Sequence, residues 1–247
     1  MIVKSNEARE KLEEIGRIVA EIREALIERS VPGANIAALD AIAKQMLADC
    51  GAQSAPIYDY DFPGYTCISL NEVVAHGIPK DRIIKEGDIV NIDVSAVKDG
   101  FYADTGATRV AGKALDQSHE KLIACSKAAL AAGIAAARPG NRIYQIGEAI
   151  HGVALNEGFT VIRNLTGHGI GKALHERPHQ ISNYRVEKEN QLLKVGHVLA
   201  IETFISLGDE WVNERFNGWE LYTSSKNRTA QFEHTIIVSD EGPIILT

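Results

Sequence analysis

The hydrophobic positions of this chain keep two rhythms, and the changes between them mark its elements. From residue 5 to 29 the apolar residues Leu12, Ile15, Ile18, Val19, Ile22, Leu26 and Ile27 recur with a period near that of a helix. Pro32-Gly33 breaks this helix, and Asn35 offers an N-cap for a second one that stops near Gly51. An irregular stretch follows, SAPIYDYDFPGYT, rich in turn residues and aromatics, which predicts a loop held over the scaffold. Largely apolar runs then predict strands, each holding one acid: Asp93 in IVNIDV, Glu202 in VLAIETFISL and Glu233 in AQFEHTIIV. A helix from about Ser118 to Arg138 ends at Pro139-Gly140, and another runs on to Gly158.

The order of elements repeats. At one offset Pro32, Gly33, Ile36, Leu39 and Gly51 align with Pro139, Gly140, Ile143, Ile146 and Gly158. At a nearly equal offset Lys85, Gly87, Ile92 and Asp93 align with Lys194, Gly196, Ile201 and Glu202. The period is too long for a solenoid. It predicts an α/β chain of two related halves, about 5–110 and 115–247, forming one domain whose sheets meet at a shared cleft.

An acid inside an apolar strand is costly unless something compensates it. If Asp99-Gly100 is a two-residue hairpin turn, Asp93 sits opposite Gly106 and diagonal to Asp104 on one face. Glu233 stands to Glu202 as Asp104 stands to Asp93. Two close carboxylates cannot both stay ionised unaided. Four of them, two from each half, predict a binuclear centre, and oxygen-rich sets suit Mn, Fe or Co.

Of eight histidines, three have a chemical setting: His168 between glycines in LTGHGIGKALH, His175 seven residues later, and His76 in NEVVAHGIPK. A neutral imidazole is a natural fifth ligand. His119, His151, His179, His197 and His234 have no such context and read as surface or hydrogen-bonded histidines.

Composition narrows the field only modestly. The chain has 247 residues, 45% hydrophobic and 24% charged, with a formal net charge of −7 and no dense basic run. Nucleic acid and anionic membrane are therefore not expected as main partners. No apolar run approaches the length of a membrane span and no signal segment precedes the first helix. Cys50, Cys67 and Cys125 form no CxxC pair and suit a reducing cytoplasm, each as a small buried hydrophobe.

Taken together, NEVVAHGIP, NIDVSAVKDGFYADTG, TGHGIG with LHE, AIET and AQFEHTIIV resemble the type I methionine aminopeptidases in order and spacing, across essentially the whole chain. The resemblance implies the pita-bread fold: two pseudo-two-fold halves, antiparallel sheets and helices on the outer face. It implies removal of the N-terminal methionine of nascent chains when the second residue is small, by a hydroxide bridging two divalent ions (Co, Mn, Fe, Zn or Ni). It makes Asp93, Asp104, His168, Glu202 and Glu233 the metal ligands, with Asp104 and Glu233 shared, and Glu202 the proton carrier. His76 would bond the scissile nitrogen and His175 the carbonyl oxygen, while Phe62, Cys67 and Trp219 match pocket positions. A monovalent cation near Asn71, Val73 and Thr229 is implied too, as are a cytoplasmic monomer and contact with nascent chains at the ribosome. Most members read Glu-Pro where this chain reads Glu202-Thr203, and threonine frees the φ angle and donor that proline would remove. Two other readings remain: an Xaa-Pro aminopeptidase or prolidase on the same fold, and a binding homologue that has lost its metals.

Overall fold

Four long helices account for the helical rhythm. In a computed structural model describing residues 1–247, they are α1 (Asn6–Arg29), α2 (Ile36–Asp49), α4 (Gln117–Ala136) and α5 (Ile143–Asn156). Ser5 caps α1 by accepting from the Ala8 N–H, Asn35 caps α2 through Ala37 and Ala38, and Asp116 caps α4 through Ser118, each satisfying N–H groups that the helix itself leaves free. The expected Ser118–Arg138 helix thus starts one residue earlier and ends at Ala136.

One expectation fails. The stretch after Gly51 is not wholly irregular, because Ala55–Tyr60 forms a short helix, α3, with Pro56 in its first turn. Proline lacks an N–H that such a position would leave unpaired anyway.

The strands are β1 (Gln53–Ser54), β2 (Cys67–Leu70), β3 (Val73–Ala75), β4 (Ile89–Lys98), β5 (Phe101–Val110), β6 (Thr160–Val161) and β7 (Thr166–Gly169). They continue as β8 (Glu176–Ser182), β9 (Val198–Ser206), β10 (Asn213–Glu214), β11 (Leu221–Tyr222), β12 (Thr229–Ile237) and β13 (Ile244–Ile245). Ten form one antiparallel sheet whose path runs β1-β4-β5-β12-β9-β7-β8, and β10, β11 and β3 make a small second sheet.

The turn between β4 and β5 has positive φ at both Asp99 (51°) and Gly100 (72°), the geometry that a two-residue hairpin demands. Asp93 consequently pairs with Gly106, and Ser95 with Asp104. The glycines matched by sequence also match in conformation: Gly33 and Gly140 at φ 91° and 86°, Gly87 and Gly196 at 79° and 86°.

Each half covers its part of the sheet with a helix pair. Ile15, Val19, Ile22 and Leu26 of α1 pack with Val90, Ile92 and Val94 of β4. Leu122, Ala129 and Leu130 of α4 pack with Ile201 and Ile205 of β9 and Ile236 of β12. The ladder between the halves is β5 with β12, where Glu233 meets Gly106 and His234 meets Thr105. The helices therefore bury one face of the sheet and leave the other to carry chemistry. Cys67 and Cys125 are buried as expected, but Cys50, the cap residue of α2, is only half-buried.

Candidate active site

Strand periodicity places the acids. Asp93 on β4, Asp104 on β5, Glu233 on β12 and Glu202 on β9 lie on neighbouring strands, with Glu233 directly opposite Glu202. Along each strand the side chains alternate faces, so the helix-covered residues Ile92, Ile201 and Phe232 send these acids to the other side. There they line a cleft of 460 Å³ together with His76, His168, His175, Phe62, Cys67 and Trp219. All ten residues singled out in the sequence as catalytic, ligating or pocket-forming meet in this cleft.

The electrostatics of the floor are one-sided. No lysine or arginine lines the cleft. Burial raises the pKa of all four carboxyls, that of Asp104 to about 6, and the neighbouring carboxylates push Asp93 and Glu233 up further. His168 moves the opposite way. Burial, then the nearby His175, lowers its pKa to about 3, so its ring is neutral. Its Nδ1 lies 3.1 Å from the Gly169 carbonyl, which holds the proton on that nitrogen. Nε2 is left as a lone pair, 3.8 Å from Asp104 Oδ2 and 4.0 Å from Glu202 Oε1.

Ligand atoms of Asp104, His168 and Glu233 lie within 4.8 Å of one another. Glu233 Oε1 is buried without a hydrogen-bond partner, and a buried unpaired acceptor is expensive. Four acids, a lone pair and an orphaned oxygen around one space, with no cationic side chain, fit divalent metal ions.

Cleft-lining groups that the sequence reading missed support this floor. Gln231 donates to Glu233 Oε2 at 3.1 Å and accepts from Asn91 at 2.7 Å. It has room because Gly106 lacks a side chain: a Cβ there would lie 2.1 Å from Gln231 Oε1. Gln231 sits two residues before Glu233, and Asn91 two before Asp93, so the period of two was the available signal. Tyr60 OH lies 2.7 Å from His175 Nδ1. His179, read as a surface or hydrogen-bonded residue, is exposed and also lines the cleft.

His76 and His175 are accessible from the cleft, yet desolvation by the surrounding walls lowers the pKa of each. Both are neutral near pH 7. His76 has a positive φ of 55°, a conformation uncommon outside glycine that aims a side chain out of the regular strand path. Cys67 pairs with Asp93 across β2 and β4, and its thiol pKa is raised by burial and then by Asp93. It stays protonated, as a pocket wall.

Thr203 also brings a hydroxyl that the sequence reading did not consider. It is fully buried on the helix side of β9, 2.8 Å from the Ser126 hydroxyl, which itself donates to the Ala230 carbonyl at 2.8 Å. It ties α4 to β9 and β12 directly behind Glu202 and Glu233.

A pH dependence follows. The four carboxyls have folded pKa values above their unfolded ones, so their contribution to stability is present below about pH 4 and lost as pH rises through the folded values. The histidines have lowered values and add stability as pH rises toward about 7, beyond which they are neutral in both states. The gap in melting temperature between Mn²⁺-loaded and chelator-treated protein is therefore expected to widen as pH rises from about 4 through the Asp104 value of about 6. A gap that stays constant or narrows over that range would count against the buried acid cluster.

A cleft of this kind, built from two halves of an antiparallel sheet and floored by acids and a neutral imidazole, defines a metal-dependent hydrolase. The chain belongs to Metallopeptidase family M24, whose pattern matches residues 8–240, and its fold is the pita-bread fold expected. It is 47% identical over 247 residues to a methionine aminopeptidase of Staphylococcus epidermidis, covering 100% of this chain and 98% of that protein. It is 48% identical to methionine aminopeptidase 2 of Bacillus subtilis, covering 100% and 99%. The crystal structure of methionine aminopeptidase from Thermotoga maritima superposes with a TM-score of 0.94 at 34% identity, covering 100% and 99%. Prolidase from Pyrococcus furiosus shares the fold (TM-score 0.80, 23% identity), but this chain covers only 65% of it.

Proposed function

We propose that this chain is a methionine aminopeptidase that removes the N-terminal methionine of nascent proteins and peptides when the second residue is small. The observation that carries the reading is the cation-free floor of four raised-pKa acids and neutral His168, in a chain matching methionine aminopeptidases along its whole length. Residues 1–247 act as one catalytic domain.

Asp93, Asp104, His168, Glu202 and Glu233 would hold two divalent ions (Co, Mn, Fe, Zn or Ni), Asp104 and Glu233 being shared. Bound there, the ions supply Lewis acidity and make a water acidic enough to serve as nucleophile near neutral pH. Glu202 takes the proton from the attacking water and passes it to the leaving amine. His76 hydrogen-bonds the scissile nitrogen. His175, with the Tyr60 hydroxyl donating to Nδ1, carries its proton on Nε2 and offers it to the carbonyl oxygen as charge develops there. Both imidazoles are neutral, so each can hydrogen-bond substrate without adding positive charge beside the cations.

The methionine side chain enters beside Phe62 and Trp219, whose rings meet edge to face with centroids 5.1 Å apart, and Cys67. An aromatic and sulfur wall suits a thioether. Carbonyls of Asn71, Val73 and Thr229 would hold a monovalent cation; Val73 and Thr229 lie on β3 and β12, which pack together, and Asn71 on the turn before β3. No helix is long and apolar enough to cross a membrane. We place the protein in the cytoplasm as a monomer, meeting nascent N-termini at the ribosome.

The test is hydrolysis of Met-Ala-Ser and Ala-Pro-Ala by metal-loaded protein, with a chelator control. Chelator-sensitive release of methionine from the first peptide is expected. Preference for the proline peptide would make the chain a prolidase-type enzyme, and no turnover with any divalent ion would leave it a binding homologue.

A further inference from the structure

Glu202 sits where the main sheet has a gap. One edge of β9 is fully laddered to β12, from Val198 opposite Ile237 to Ser206 opposite Thr229. On the other edge β7 pairs only as far as His168 with Ala200, and β6 begins only at Val161 with Ile205. No strand covers the segment between. Glu202 and Phe204, two residues apart, turn their main-chain groups to this same open edge. Buried N–H and C=O groups without partners are rare and costly.

Asn183 closes the gap. It lies one residue beyond the end of β8 and is fully buried. Its Nδ2 donates to the Glu202 carbonyl at 2.9 Å, and its Oδ1 accepts the Phe204 N–H at 2.7 Å. The Phe204 N–H can only donate, so this bond fixes which end of the amide is oxygen. An asparagine side chain presents one acceptor and donors in a plane, as a peptide unit does. It stands in for the missing strand residue. Aspartate keeps the acceptor and loses the donor, leucine keeps the volume and loses both, and glutamine keeps both one methylene farther out.

The clamp acts on the residue that the proposed chemistry asks most of. Asn183 holds the carbonyl of Glu202 itself and the N–H of the next residue but one. Thr203, between them, is held from behind by Ser126. Glu202 is thereby fixed from the open edge and from the helix layer. Asp104 is held in a comparable way, the Thr235 hydroxyl accepting its N–H at 2.9 Å and donating to its carbonyl at 2.8 Å, whereas Asp93 lies in a continuous ladder.

We propose that Asn183 is a positioning residue for Glu202, a side-chain substitute for a strand that sets the carboxylate for metal binding and proton transfer. This rests on the reading of Glu202 given above. The experiment uses full-length protein with Asn183→Leu, Asn183→Asp and Asn183→Gln, and Ile150→Ala as a control that opens the outer core away from the cleft. Mn²⁺ is titrated into chelator-treated protein by calorimetry, melting temperatures are recorded, and kcat and KM are measured on Met-Ala-Ser.

Asn183→Leu and Asn183→Asp are expected to weaken one of two Mn²⁺ sites by about 10- to 100-fold and to lower kcat with KM little changed. Asn183→Gln should recover part of both, and Ile150→Ala should lower the melting temperature while leaving Mn²⁺ affinity alone. Mn²⁺ affinity and kcat within about twofold of wild type in Asn183→Leu would overturn the proposal. So would an equal loss in Ile150→Ala, which would make the effect one of general stability. Wild-type protein that binds no divalent ion would overturn the functional reading itself, and this inference with it.

Discussion

Asp104→Asn protein, loaded with Mn²⁺ and desalted, is expected to retain less than half the metal of the wild type and to lose at least a thousandfold in kcat/KM on Met-Ala-Ser. The estimate comes from one removed charge: two unit charges about 4 Å apart at an effective dielectric near 20 interact by about 4 kcal/mol, roughly a thousandfold in binding. A shared ligand forfeits this toward both ions. The same substitution should raise the melting temperature of the chelator-treated protein at pH 8. Asp104 stands among the charges that raise the pKa of Asp93, Glu202 and Glu233, and a neutral amide relieves that repulsion. The opposite signs separate the outcome from misfolding. Full metal content in Asp104→Asn would remove Asp104 from the bridging role.

Glu202→Gln is expected to lower kcat by about 10²- to 10⁴-fold, the range of a lost general acid–base group, with a much smaller change in KM. The amide keeps the shape and can keep its oxygen toward a cation, so folding and partial metal binding should survive. What is lost is the ability to take and return a proton. A kcat within about tenfold of wild type at saturating Mn²⁺ would assign the proton to another group, and the cleft offers His76, His175 and His179 as candidates.

Much of this site could be read from the sequence because its parts are local or periodic. The Asp99-Gly100 turn fixed the β4–β5 register by two backbone angles, and with it the shared face of Asp93 and Asp104. The helix pairs announced themselves through a period that only burial of one face requires, and the repeated Pro-Gly breaks located their ends. His76 and His168 stood out by their glycine neighbours, and His175 by following His168 in the same segment.

What escaped was non-local. Asn183 lies in the bend after β8, and nothing in its neighbourhood reveals that an unladdered stretch of β9 will come to rest against it. Tyr60 was visible only as part of an aromatic loop. Its helix, α3, is six residues long, too short to be stable by propensity, and is held by packing of Ala55 against Leu12 and Val97. Arg23 reads as an interruption of the apolar face of α1. It is buried because its guanidinium meets Thr105 and Glu24, and Thr105 in turn donates to the Glu233 carbonyl. Thr203 was noticed as a departure, but only the fold shows that its hydroxyl joins a helix to two strands.

The β5–β12 ladder has a consequence for when this protein becomes a protease. Asp93 and Asp104 leave the ribosome long before Glu202 and Glu233 have been made, and the acids come together only once β12 zips against β5 on one side and β9 on the other. Until that strand seats, the chain owns half a floor and no working cleft. An emerging or partly unfolded copy is therefore silent toward the free N-termini crowded around it. Hydrolytic power thus depends on a closed seam between the halves.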